Sequence, residues 1–253
     1  MHAAPAQFRP SNAISSVNDL LSFALERIQV LDLPAAQRSL RESLVSYPEE
    51  GRLWELLGTV LWAEGDLKEA LAAIETASVY RPLGPFAQII LADCYAREGK
   101  ANLAFMILYF LTEEDRCPTE ILPHLAASLG NIQAYYLAYL ICARLIERVP
   151  DDHAAYFGMA YYHVKDGHLL EDALPFLTRA FELNPFSLTY RLNYGLALAE
   201  LGDTSEAKTL LGQINPQQIT CTNSLDRLSH FFKLIGDKIR VDLYQARLLE
   251  LSL

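Results

Sequence analysis

Residues Trp54–Pro82 read WELLGTVLWAEGDLKEALAAIETASVYRP. Leu53, Leu57 and Leu61 recur at four-residue steps, the spacing of one face of an α-helix. Gly65 then interrupts the pattern, and a glycine at a helix end accepts φ > 0 at little cost. Asp66 follows it as a natural N-cap for a second helix. Ala70, Ile74 and Ala77 line that second helix, and Pro82 prevents its continuation. The stretch therefore predicts a hairpin of two amphipathic helices.

The hairpin recurs along the chain. Ala36, Ala70, Ala104, Ala138, Ala173 and Ala207 lie 34, 34, 34, 35 and 34 residues apart, and one more step reaches Val241. Seven residues beyond each lie Ser43, Ala77, Leu111, Leu145, Ala180, Ile214 and Leu248. Twelve residues before most of them lie Ala24, Gly58, Ala92, Ala126, Gly195 and Ser229, with Gly158 fifteen before Ala173. Pro48, Pro82, Pro150 and Pro185 close four units, and Gly65, Gly99, Gly202 and Gly236 fall at mid-unit turns. Small residues at a fixed interval mark places where helix backbones approach, so the period predicts stacked helical hairpins.

With Trp54, Leu57-Gly58, Leu61, Gly65, Ala70, Ile74, Ala77 and Pro82, this unit resembles the tetratricopeptide repeat (TPR), with Leu and Ile where that family prefers Tyr and Phe. The unit at 188–221 carries Gly195, Leu198, Gly202, Ala207, Leu211 and Ile214 at matching places. The resemblance implies an all-α, right-handed superhelical solenoid of about seven TPR-like hairpins. They are placed at 17–50, 51–84, 85–118, 119–150, 151–187, 188–221 and 222–253, a single solenoid over 13–253. Residues 1–12 read as a flexible arm. Two neighbouring units are irregular: 119–150 has an early Gly130 and Gln133 in place of the turn glycine, and 151–187 has a longer turn, HVKDGHLLED. The last unit, with Gln245, reads as a polar-faced cap.

Composition bounds the partners. Of 253 residues, 51% are hydrophobic, enough for an extended core, and the net charge is −10. That charge argues against nucleic acid, which demands Lys and Arg, and against an anionic membrane surface. Cys94, Cys117, Cys142 and Cys221 show neither a CxxC pair nor zinc-knuckle spacing and read as reduced thiols. The N-terminus has no basic segment followed by an apolar one, and no apolar run approaches the roughly 18 residues of a membrane span. The expected location is cytoplasmic.

By the resemblance, the first helix of each unit lines a concave groove. The candidate groove residues are Arg52, Glu55, Trp62, Phe86, Ile89, Asp93, Arg97, Met159, Tyr162 and His163, with further positions at Thr59, Glu120, Pro123, Asn131, Leu192, Leu196 and Glu200. Trp62 is read either as an aromatic anchor for a partner or as helix packing. Phe86 and Ile89 likewise read as an apolar patch or as packing. Some members of the family grip acidic tails with a basic clamp. Here the clamp positions hold Glu55, Thr59, Ile90, Glu120 and His124 in one register, and Ala155, Met159, Asn193, Asn223 and Arg227 in another. The first set has no basic residue where a carboxylate must be paired, and the second keeps only one Asn and one Arg, so a clamp is not expected. His163 and His168, among Asp166 and Asp172, lack the convergence a metal requires, and the run Tyr135-Tyr136 to Tyr139 reads as packing or as a partner surface. Phosphate loops, nucleophile elbows and HExxH are missing from the sequence. No enzyme, cofactor or metal is expected. The expected function is a protein-binding adaptor or assembly scaffold that holds a protein or peptide segment. The alternatives are a self-assembling scaffold, in which the arm of one copy enters the groove of the next, and a chaperone-like subunit of a secretion or pilus-type assembly.

Overall fold

The computed structural model describes residues 16–113 and 116–252, so the expected arm at 1–12 lies outside the described residues. Among the described residues the chain is all-α, without strands. It divides into two compact units that meet in sequence at Leu111 and Thr112. The first holds α1 (Val17–Gln29), α2 (Leu33–Ser46), α3 (Gly51–Glu64), α4 (Leu67–Tyr80), α5 (Pro85–Arg97) and α6 (Ala101–Leu111). The second holds α7 (Leu122–Asn131), α8 (Tyr135–Arg148), α9 (His153–Lys165), α10 (Leu170–Leu183), α11 (Leu188–Glu200), α12 (Thr204–Leu211), α13 (Thr222–Leu234) and α14 (Lys238–Leu251). Within each unit, consecutive pairs form antiparallel hairpins that stack as a helical solenoid.

Local chemistry sets the helix ends. α2, α4, α8 and α10 each stop two residues before a proline: Pro48, Pro82, Pro150 and Pro185. Asp66 Oδ1 accepts from the Glu69 N–H at 3.2 Å, Asp203 from Glu206 at 3.1 Å and Asp237 from Arg240 at 3.2 Å. Gly65 sits at φ +85°, in the left-handed region that closes the α3 C-terminus. Leu31 and Gln133 adopt the same geometry at φ 59° and 63° without being glycine. Gln133 stands where the repeat pattern lacks its turn glycine, so the fold imposes the turn on a residue that resists it.

The periodic small residues are contact points. Ala36, Ala70, Ala104, Ala138, Ala173 and Ala207 are all 0% exposed. At Gly58 a Cβ would lie 2.6 Å from both Cγ1 and Cδ1 of Ile74, so α3 and α4 pack closer than any side chain at 58 permits. In the first unit the core runs through Leu40, Leu53, Leu57, Leu61, Ile74 and Ile90. In the second it runs through Leu198, Leu211, Leu225 and Leu228 to Phe232, which stacks on Tyr244 at 5.6 Å. Gln245 next to it is exposed. Among the described residues no helix is long and apolar enough to cross a membrane.

Candidate functional site

In the first unit α3 packs on α5, the first helices of consecutive hairpins, and they present one face. Its charged groups are tied down. Arg52 meets Glu50 through Nε at 2.9 Å and Nη2 at 3.1 Å, and reaches Asn18 Oδ1 through Nη1 at 3.0 Å. These bonds hold the Glu50 carboxyl below its usual pKa. Glu55 accepts from Arg81 Nη1 at 3.0 Å and from the Gly84 N–H at 3.2 Å, fastening α3 to the loop that precedes α5. A Cβ on residue 84 would stand 2.9 Å from Glu55 Oε1, at the tip of a side chain that can give way.

Trp62 lies across α5. Its indole Nε1–H donates to Asp93 Oδ2 at 2.8 Å, and its ring meets Phe86 edge-on at 6.0 Å. Both rings stay partly exposed while packing on the core of the first unit. Trp62 is therefore a packing residue with one accessible flank, its N–H already committed. Arg97 Nε donates to the same Asp93 Oδ2 at 3.2 Å. Ile89 is 1% exposed and Asp93 7%, so both support the face from beneath and neither offers a side-chain surface to a partner. That corrects their placement as groove contacts: Trp62, leaning from α3, covers Asp93, and Ile89 lies in the core. No sequence period reports that lean.

In the second unit the expected residues scatter. Met159 is 7% exposed, buried, which likewise removes it from a partner's reach. Tyr162 turns back onto α7, where a Cβ at Gly130 would lie 2.5 Å from its Cε1. Gly130 is thus a slot for a tyrosine ring. Burial raises the Tyr162 phenol to a pKa of about 12. His163 stacks on His168 at 4.4 Å and tilts against Tyr139 at 5.7 Å, with its Nε2 buried and unbonded. Among the described residues no group of three or more His, Cys, Asp or Glu is placed to hold a metal.

One accessible hollow of the second unit lies elsewhere. A cavity of about 160 Å3 is lined by Phe157, Tyr161, Val164, Asn193 and Ala197, with Glu200 and Arg227 at hydrogen-bond contact beside it. Lys165 Nζ sits 5.6 Å above the Tyr161 ring. Tyr161 and Lys165 are one helical turn apart, so the i, i+4 spacing carried the signal. Met159, Tyr162 and His163 lie on other faces of α9. In the first unit, α6 presents a further apolar surface. It carries Leu103, Phe105, Met106 and Tyr109 at 48%, 42%, 67% and 54% exposure, beside an open hollow of about 400 Å3 lined by Leu83, Leu91, Met106, Ile107 and Phe110.

Closely packed antiparallel hairpins with glycine turns, repeating at 34 residues, define a helical repeat protein. The tetratricopeptide repeat family model matches residues 21–79, 59–109 and 157–213, together more than half of the chain, and the chain belongs to that family. Solved structures agree on the fold. A tetratricopeptide repeat protein from Parabacteroides merdae has a TM-score of 0.65 at 17% identity, over 93% of this chain and 93% of that one. Pseudomonas aeruginosa pilF has a TM-score of 0.66 at 16% identity, over 81% of this chain and 92% of that one. YrrB, described as a TPR protein with an unusual peptide-binding site, has a TM-score of 0.54 at 19% identity, over 70% and 90%. Among curated proteins none matches the sequence.

Proposed function

We propose that the chain is a protein-interaction adaptor whose first-unit face, built by α3 and α5, holds a segment of a partner protein. The carrying observation is the partly exposed Trp62–Phe86 pair, with Arg97 beside it and Asp93 fixing Trp62 from beneath. Aromatic rings on a rigid support bind with little loss of side-chain freedom, which is how a few residues come to dominate an interface. YrrB, which shares the fold, is described as having a peptide-binding site, and that supports the reading. In the second unit we assign the corresponding face to Tyr161, Lys165, Asn193 and Arg227. A net charge of −10 supports a protein partner over nucleic acid. Binding, rather than turnover, is the activity proposed, and a cytoplasmic setting fits the reduced-thiol reading of its cysteines.

The test is affinity capture with the full chain and with Phe86→Ala, each checked for its thermal midpoint. Proteins held through this face disappear from the variant while the midpoint falls by only a few degrees. An unchanged captured set refutes the assignment. A second reading, self-association, is favoured by the exposed apolar side chains of α6. It predicts a mass that grows with concentration in light scattering and returns to monomer in Met106→Glu.

A further inference from the structure

The arginines of the first-unit face differ in what they leave free. Three nitrogens of Arg52 are engaged by Glu50 and Asn18, and Arg81 is held by Glu55. Arg97 uses only Nε, on Asp93, and its two Nη groups have no partner among the described residues. Its side chain is 58% exposed, while that of Asp93 is 8% exposed. Because Trp62 Nε1 grips the same Asp93 oxygen, the carboxylate is fixed by two donors. It fixes the inner edge of the guanidinium in turn. The nearest acid in sequence, Glu98, is taken by Lys100 Nζ at 2.7 Å.

We propose that the outer edge of Arg97 binds one Asp or Glu side chain of the partner segment, with an adjacent apolar side chain of that segment resting on the Trp62–Phe86 pair. The inference rests on the binding face assigned above and names what that face selects. A guanidinium offers a planar fork of N–H donors that matches a carboxylate. One recurring way to hold a chain-terminal carboxylate is a nest of backbone N–H groups. The N–H groups after Arg97 cannot supply one: those of Glu98, Gly99 and Lys100 bond Cys94, Ala96 and Tyr95 carbonyls inside the turn. Arg97 lies outside the positions of the family's basic clamp, and Asp93 stands where that clamp carries an Asn in the register that begins at residue 85, so a single guanidinium supplies this site.

The experiment pans a randomised nine-residue peptide library against the full chain, then measures the enriched peptides by fluorescence anisotropy. Selected peptides share an Asp or Glu beside an aliphatic or aromatic residue. Changing that acid to its amide weakens binding about tenfold to a hundredfold, the range of a hydrogen bond to a charged group. Arg97→Gln, whose amide can still donate to Asp93 and whose thermal midpoint is checked first, loses the same factor and no longer distinguishes acid from amide. Peptides without a shared acid, or an Arg97→Gln that still prefers one, overturn the carboxylate site. If Phe86→Ala still weakens those peptides, the face itself stands. A library that enriches nothing overturns both.

Discussion

Adding one methyl at Gly58 sets two effects of opposite sign against each other. In an exposed helix interior, Gly→Ala gains about 1 kcal/mol, because alanine has less backbone freedom to lose. Here the new Cβ would lie 2.6 Å from Cγ1 and Cδ1 of Ile74 and 3.3 Å from the Ala70 carbonyl oxygen. Carbon atoms rest about 3.5–4.0 Å apart, so roughly 1 Å of separation must be found. Ile74 cannot supply it by swinging aside: it is 0% exposed, and Cγ1 is close to its own backbone. Overpacking of this kind costs about 1–3 kcal/mol, and the depth of the overlap places it near the upper end. The net loss for Gly58→Ala is about 2 kcal/mol, which lowers the midpoint of a unit this size by about 10 °C. Intrinsic fluorescence isolates the effect, because both tryptophans of the chain, Trp54 and Trp62, lie in the first unit. In an Ile74→Ala background the same methyl finds space and is expected to be neutral or stabilising, a coupling of about 2 kcal/mol or more. A single Gly58→Ala with an unchanged or raised midpoint refutes the close-approach argument.

Leu31 is 83% exposed at φ 59°, so Leu31→Gly relieves a left-handed backbone with almost no packing lost; urea unfolding is expected to show a gain of about 0.5–1 kcal/mol. Gln133→Gly, also exposed and at φ 63°, gives the same gain in the second unit. Cys221 is exposed and its thiol lies below the ordinary pKa through its hydrogen bond with Ser224, whereas Cys94, Cys117 and Cys142 are buried and raised by desolvation. Native protein should therefore show one fast-reacting thiol with a colorimetric disulfide reagent, abolished in Cys221→Ser. Burial lifts Cys142 from 9.0 to about 12, so the folded state keeps a proton that the unfolded state releases. Stability from this group is complete below pH 9 and is lost as pH rises toward 12, by up to about 1.4 kcal/mol per unit. Chemical denaturation followed from pH 8 to 11 should fall less steeply in Cys142→Ala, and parallel slopes would count against burial as the cause.

The hairpins were legible because their signals are local. A proline two residues past a helix, an aspartate that bonds the N–H three residues on, and a glycine at φ > 0 each act within one turn of chain. The alanine period was legible for a related reason: each stacked hairpin repeats the same close contact, so the same small residue returns every 34 or 35 residues. The face residues were legible only by number. Position along a helix says which way a side chain starts, and not what leans over it. Trp62 reached across to α5 and took the Asp93 oxygen, Ile89 went into the core, and Tyr162 turned back into the space left by Gly130.

Sequence alone thus determined the repeat and its helices, and with them the family, because those depend on backbone geometry and on short-range capping. Tertiary structure alone decided which polar groups are already satisfied and which stay free. Arg52 and Arg97 are both surface arginines on first helices, alike in any pattern of residues. Whether a guanidinium is spent or available depends on which carboxylates the fold brings within hydrogen-bond distance. Residues far apart in the chain, such as Trp62 and Asp93, meet only when the helices pack.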